Sequence, residues 1–187
     1  MNRGELLRRV PVTDVLGDKN FREILEVLDR AGQVDKTTLK QRIFCSQQFR
    51  AGQSNYEFYP SQGMAAGDDL YPLSADLSYD IDSLILVGAI VEHGRSLELS
   101  GEYRSAIEKD PRPGVNSDFL QELQGISDNE MSFFARCIQL KALLVEKRMT
   151  EEQMVDHVKN FFYLDDDQTK VFTNRVGRLQ QLAANVG

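Results

Sequence analysis

The chain has 187 residues, 41% of them hydrophobic and 27% charged, so it can bury a core and fits one domain or a small domain with an appended one. No apolar run approaches the roughly 20 residues that span a bilayer; the longest, Leu84 to Val91, is broken by Gly88, and MNRGELLRRVPV lacks the apolar stretch of a secretory signal. The net charge of −7 divides into +3 over residues 1–50, −7 over 51–100 and −3 over 101–187, so a surface built from the middle third repels nucleic acid.

Residues 1–17 show no clear period and contain Pro11 and Gly17, which reads as an arm or a short irregular helix. Asp18 then precedes Phe21, Ile24, Leu25 and Leu28 at helical spacing, and Gly32 closes that helix. Asp35 caps a second helix with inner residues Leu39, Ile43, Phe44 and Phe49 and a basic outer set, Lys36, Lys40, Arg42 and Arg50; Ala51-Gly52 ends it. Tyr56-Glu57-Phe58-Tyr59 alternates as a strand does, with Tyr56 and Phe58 on one face and Tyr59 on the other. Pro60 makes it an edge or an end, and 61–72 reads as a loop.

Ser74 is a good cap for a third helix, whose buried stripe is Leu77, Ile81, Leu84 and Ile85 and whose stop is Gly88. Two short runs, 89–92 and 96–99, flank His93-Gly94-Arg95 as a hairpin. Ser100 caps a short helix through Tyr103 and Ile107, and Asp110-Pro111-Arg112-Pro113-Gly114 reads as a linker. Beyond it everything is helical. A short helix runs from Ser117 to Gly125, Ser127/Glu130 and Thr150/Gln153 form capping boxes, and Asp165 opens a last helix through Val171, Phe172, Val176, Leu179 and Leu182.

The order helix, basic helix, aromatic strand, loop, capped helix, glycine and hairpin is similar to the YwgA-like and Panacea-like group of prokaryotic winged-helix proteins. The residues that carry it are LEVLDRAGQVDKTTLKQRIFCSQQF (25–49), YEFYPSQG (56–63) and LSADLSYDIDSLILVGAI (73–90). Ser74, Leu77, Asp80, Ile81, Leu84, Gly88 and Ile90 fall on the group's helix pattern, and the likeness covers about 18–108. SQGMAAGDDLYP is longer than the group's compact Gly-Pro turn. The Panacea-like branch implies toxin-neutralising antitoxins, and neither branch implies an enzyme.

The expected fold is mainly α: an N-terminal arm over 1–17, a winged-helix-like domain with a small hairpin sheet over 18–110, and a C-terminal helical bundle over 115–187. The helix that such a domain offers to DNA here carries Asp76, Asp80 and Asp82 and no cation. Base and phosphate contacts favour Arg, Lys, Asn and Gln, so this helix suits a protein partner instead. Asp76, Tyr79, Asp80 and Asp82, joined by Asp68 and Asp69, form one candidate docking face, against the plainer reading of a solvated helix surface. Tyr59 is a second candidate, at a strand edge that could accept another chain.

Lys36, Lys40, Arg42 and Arg50 are the alternative, a set of phosphate contacts for a DNA-binding regulator, against an ordinary two-signed surface. Asp165-Asp166-Asp167 lacks the alternate spacing of a calcium loop and reads as a helix cap. His93 and His157 are unpaired and expected on the surface, while Cys45 and Cys137 are expected as buried thiols in a reducing compartment. The expectation is a non-enzymatic cytoplasmic interaction module, antitoxin-like or accessory, with no cofactor, no metal and no membrane contact. A homodimer is compatible with the pattern.

Overall fold

The structure of the chain, a computed structural model, describes residues 10–50, 56–60, 71–112 and 114–184. They form a mainly helical protein with a small antiparallel sheet. Asp14 and Val15 donate back to the Pro11 carbonyl and start a one-and-a-half-turn helix, α1 (Val12–Gly17). Asp18 ends it and caps the next, accepting from the Asn20 and Phe21 N–H groups at 2.8 and 3.1 Å. That helix is α2 (Lys19–Ala31), with Ile24, Leu25 and Leu28 fully buried, and Gly32 closes it at φ 72°, where only glycine is unstrained.

A two-residue strand, β1 (Val34–Asp35), follows, and Asp35 caps α3 (Lys36–Phe49) by accepting from the Thr37 and Thr38 N–H groups. This helix departs from the amphipathic one expected. Nine positions, Thr38, Leu39 and Gln41 through Gln47, are buried, because α2 packs on one side of α3 and a later helix, Asp128–Val145, on the other. The expected end at Ala51-Gly52 lies outside the described residues; the last described residue, Arg50, already has extended backbone.

The aromatic run is a strand only at its end. Strand β2 (Tyr59–Pro60) pairs antiparallel with β3 (Pro72–Leu73) and not with the later hairpin, while Tyr56 drops into the core and Phe58 stacks edge-on over Phe44 at 5.0 Å. The burial alternation is as expected: Tyr56 is buried, Phe58 half-buried and Tyr59 exposed. Most of the expected loop, 61–70, including Asp68 and Asp69, lies outside the described residues, as does 1–9 of the arm.

Ser74 then caps α4 (Ala75–Leu86), accepting from the Leu77 N–H at 3.3 Å, and Gly88 at φ 78° turns the chain into β4 (Ile90–His93). A two-residue turn at Gly94-Arg95 leads to β5 (Ser96–Leu99), with His93 opposite Ser96 and Ile90 opposite Leu99. Gly94 takes φ 65°, as the first central position of a primed turn requires. Strand β1 adds to the far side of β5 in the register Val34 to Leu97, giving the order β1-β5-β4.

Helix α5 (Gly101–Lys109) ends at the proline-rich segment expected as a linker, whose described residues are tied down by α2. Arg22 donates to the Arg112 carbonyl at 2.6 Å and to Glu26 at 2.7 Å, and Glu26 accepts from the Val115 N–H at 2.6 Å. Asp110 meets Arg22 at 3.3 Å, and the Arg112 side chain and backbone N–H hold its carboxyl well below the usual carboxylate range. Gly114 lies against the Glu26 carboxylate, where a Cβ would collide.

Four helices complete the chain: α6 (Ser117–Gln124), α7 (Asp128–Val145), α8 (Glu151–Phe162) and α9 (Asp166–Ala184). Their starts are those expected. The Glu130 carboxylate accepts from both the backbone N–H and the hydroxyl of Ser127, and Thr150 and Gln153 exchange hydrogen bonds at 2.9 and 3.3 Å. One buried apolar cluster runs from Val15 through Ile43 and Phe44 to Phe134, Ile138 and Leu179, so segments 18–110 and 115–187 share a core along the α3–α7 contact.

Candidate partner-binding face

Helix α4 lies over the core by Leu77, Ile81 and Leu84. The three-to-four spacing that buries this stripe turns Asp76, Tyr79, Asp82 and Leu86 outward. Tyr79 is 72% exposed and Leu86 53%, the two largest apolar exposures on this helix, so its outer face alternates aromatic, aliphatic and acidic groups. Leu86 was missed from sequence; its signal was its place seven residues after Tyr79, two turns along the same face.

Asp82 forms an ion pair with Lys36 at the start of α3, and Lys40 donates to Ser78 at 3.3 Å. Burial lowers the Lys40 ammonium below its ordinary range, and the neighbouring Lys36 adds to this against the opposing pull of Asp82. Two of the expected phosphate contacts thus turn toward α4. The other two depart from the outer face expected of them. Arg42 is 4% exposed, and its guanidinium donates to the Leu123 and Ile126 carbonyls at 3.0 Å each and to Asp128 at 2.7 Å. Arg50 forms an ion pair with the buried Glu23 on α2. The physical reason is the same for both: a helix sandwiched between two others has no solvated side where such cations could stand.

Asp80 sits one step around α4 from the outer face and is half-buried, accepting from the Tyr56 hydroxyl at 2.8 Å. Burial raises its carboxyl above the ordinary carboxylate range, partly offset by the Tyr56 hydrogen bond, and Asp18 and Asp76 push the same way as burial. Burial and Asp80 together push the Tyr56 phenol above its usual range. An acid raised on folding contributes stability that is present below its unfolded pKa and lost as pH rises through the folded one. Asp80→Asn, which keeps an acceptor for Tyr56, is therefore expected to be more stable than the parent at pH 7. The gain should vanish as pH falls through the carboxylate range, read as urea midpoints at pH 7 and pH 3.5; an unchanged difference at the two pH values would sink this account.

Strand β3 runs directly into the Ser74 cap, so it places Leu73, 47% exposed, and its register partner Tyr59, 50% exposed, at the N-terminal end of α4. The structure thus brings Asp76, Tyr79, Asp82 and Tyr59 to one helix and its leading strand pair, with Leu73 and Leu86 as additions. Asp80 belongs with Tyr56 beneath them.

The remaining candidates resolve locally. Asp165 caps α9 by accepting from the Gln168 N–H at 2.7 Å, and Asp166 pairs with Lys159 at 2.5 Å. His93 and His157 are exposed, His93 lying 3.5 Å from Glu98 across the hairpin. Cys45 and Cys137 are buried and unbonded, and burial pushes the Cys137 thiol up to about 12. Among the described residues no helix is long and apolar enough to cross a membrane. No family model, curated protein or solved structure matches the chain.

Proposed function

We propose that the protein is a cytoplasmic, non-enzymatic interaction module that binds a protein partner through the outer face of α4. Residues 18–110 act in this reading as a winged helix, supported by the order α2-β1-α3-β2-β3-α4-β4-β5 and by β1 lying against the hairpin. Residues 115–187 act as the helical domain that backs it. The observation that carries the reading is the pairing of Tyr79 and Leu86, both more than half exposed, with Asp76 on a helix that has no cation of its own. Exposed aromatic and aliphatic groups gain by being covered, and aromatic anchors dominate the energetics of protein interfaces. Such a face repels a phosphate backbone.

The regulator reading is weaker, because Arg42 and Arg50 are engaged inside the protein and Lys36 is held by Asp82. The antitoxin-like role belongs to the resemblance of 18–108 and narrows the partner to a toxin protein.

The test compares tagged wild type with Asp76→Lys/Tyr79→Ala and with a control at an exposed residue of α9, Val171→Ser, in affinity purification from the native host. The expected result is a protein recovered with wild type and the control and lost with the double variant. Equal recovery with all three would remove α4 from the interface. Retention of random duplex DNA at low salt and micromolar protein, falling steeply with added salt, would favour the regulator instead.

A further inference from the structure

Arg136, on α7, is the exception among the partly buried arginines. Arg22, Arg42, Arg50, Arg104 and Arg175 each meet a carboxylate, whereas Arg136 forms no hydrogen bond or ion pair among the described residues, and its Nε is buried without a partner. Its guanidinium carbon stands instead 5.4 Å from the ring centre of Tyr71, just before β3, and 5.4 Å from that of Phe162, at the end of α8.

The two rings are themselves held in place. The Tyr71 hydroxyl shares a hydrogen bond of 2.8 Å with Ser132, which also accepts from Gln41 at 3.2 Å. Phe162 meets Phe133 edge-on at 5.3 Å and Phe161 at 5.0 Å, and those two rings are 39% and 44% exposed. The cation is thus set on aromatic faces that displace its water, within an apolar rim open to solvent.

A guanidinium set on rings in this way, with its Nε buried, keeps the in-plane N–H groups of its two terminal nitrogens for one planar acceptor, and a carboxylate matches that fork with two parallel hydrogen bonds. The rim asks for apolar neighbours on either side of the acid. One unpaired cation neutralises one monoanion, while a phosphate dianion would leave a charge uncompensated on a protein that already carries −7.

We propose that Arg136, framed by Tyr71 and Phe162, is a docking point for a protein segment that presents a single Asp or Glu side chain between apolar residues. This surface carries the opposite charge to the α4 face and is built on α7 and α8, with Tyr71 at the entry to β3 as the one residue that adjoins that face. A partner that used both would present a basic or neutral apolar surface to α4 and an acidic one here.

The experiment follows the Arg136 Nε–Hε resonance of the full-length labelled protein during titration with the capped peptide Phe-Glu-Phe and with its Phe-Gln-Phe and Phe-phosphotyrosine-Phe counterparts. Millimolar Phe-Glu-Phe is expected to shift that resonance and to bind at least about tenfold more tightly than Phe-Gln-Phe, the factor that one charge-assisted hydrogen bond supplies. Arg136→Gln should abolish the preference for the acid, and Arg136→Lys should restore only part of it, since an ammonium cannot form the fork.

The proposal is overturned by no shift at millimolar Phe-Glu-Phe or by equal binding of the glutamine peptide. It is also overturned by tighter binding of the phosphopeptide, which would make this a phosphate site. The comparison among peptides needs no variant, so it decides the matter even if Arg136→Gln does not fold.

Discussion

Arg42→Ala is expected to lower the unfolding free energy by about 3 kcal/mol, read as a fall in the urea midpoint with an unchanged slope. The size follows from what the guanidinium holds. Leu123 lies in the last turn of α6, where its carbonyl has no helical partner four residues on and accepts only weakly from the Ile126 N–H at 3.3 Å, and Ile126 lies in the turn to α7. Arg42 donates to both carbonyls from inside the core and places a positive charge at the C-terminal end of α6, where the helix dipole favours it. Its contact with Asp128, half exposed, adds less, because water can replace it.

Truncation leaves the Ile126 carbonyl unpaired, leaves that of Leu123 with its long contact to the Ile126 N–H at 3.3 Å, and opens space between α3 and the α6–α7 corner. For a chain of this length about 3 kcal/mol corresponds to a melting point lower by roughly 6–12 °C. Arg42→Lys should recover little, since one ammonium cannot reach acceptors spread over Leu123, Ile126 and Asp128. A loss under about 1 kcal/mol for Arg42→Ala would mean that water enters the corner and satisfies these groups.

That arginine also marks where sequence reading stopped. Starts and stops of helices were legible because they are local: Asp18, Asp35, Ser74, Thr150 and Asp165 each bond to N–H groups two or three residues on. The hairpin was legible because one glycine with positive φ lies between two short apolar runs.

What covers α3 was not legible, since the residues that bury its second face come from α7, about 90 positions later, and polar side chains such as Gln41 and Arg42 look solvated until their partners are known. A hint existed. Helix α3 contains three cations and no acid, so its charges had to be met by other elements, as Asp82 and Asp128 now meet Lys36 and Arg42. Strands β1 and β3, at two residues each, are too short for any period to show. Pairing of Tyr59 with Leu73 instead of the hairpin was decided across a segment whose length says nothing about where it returns. On α4, Asp76, Tyr79 and Asp82 of the expected acidic face stand exposed. The half-burial of Asp80 was not legible, because its partner Tyr56 arrives from outside the helix.

Glu23→Ala is expected to have the largest effect of any single change in the polar core, a loss of about 3–5 kcal/mol. Glu23 is 4% exposed on α2 and accepts from Ser46 and Gln47 of α3 at 3.1 Å each and from the Arg50 guanidinium. Removing it deprives three donors at once, one of them a cation whose side chain is only 11% exposed. Glu23→Gln keeps the shape and one acceptor but no charge, and should lose about 1–3 kcal/mol. The double change Glu23→Leu/Arg50→Met removes both charges together and should recover much of the loss, because the desolvation of each ion disappears with it.

By contrast Asp82→Ala, which breaks the exposed pair with Lys36, should change stability by no more than about 1 kcal/mol. The order of urea midpoints tests the whole argument: wild type and the double change highest, Glu23→Gln between, Glu23→Ala lowest. A Glu23→Ala midpoint equal to that of Asp82→Ala would show that the buried network adds no more than a surface pair. The order also reaches the partner face, since Gln47 accepts the Tyr56 N–H at 3.4 Å and Tyr56 in turn holds Asp80 of α4. Glu23→Ala should therefore weaken the dependence of stability on Asp80, and the difference between Asp80→Asn and its parent at pH 7 should shrink in the Glu23→Ala background.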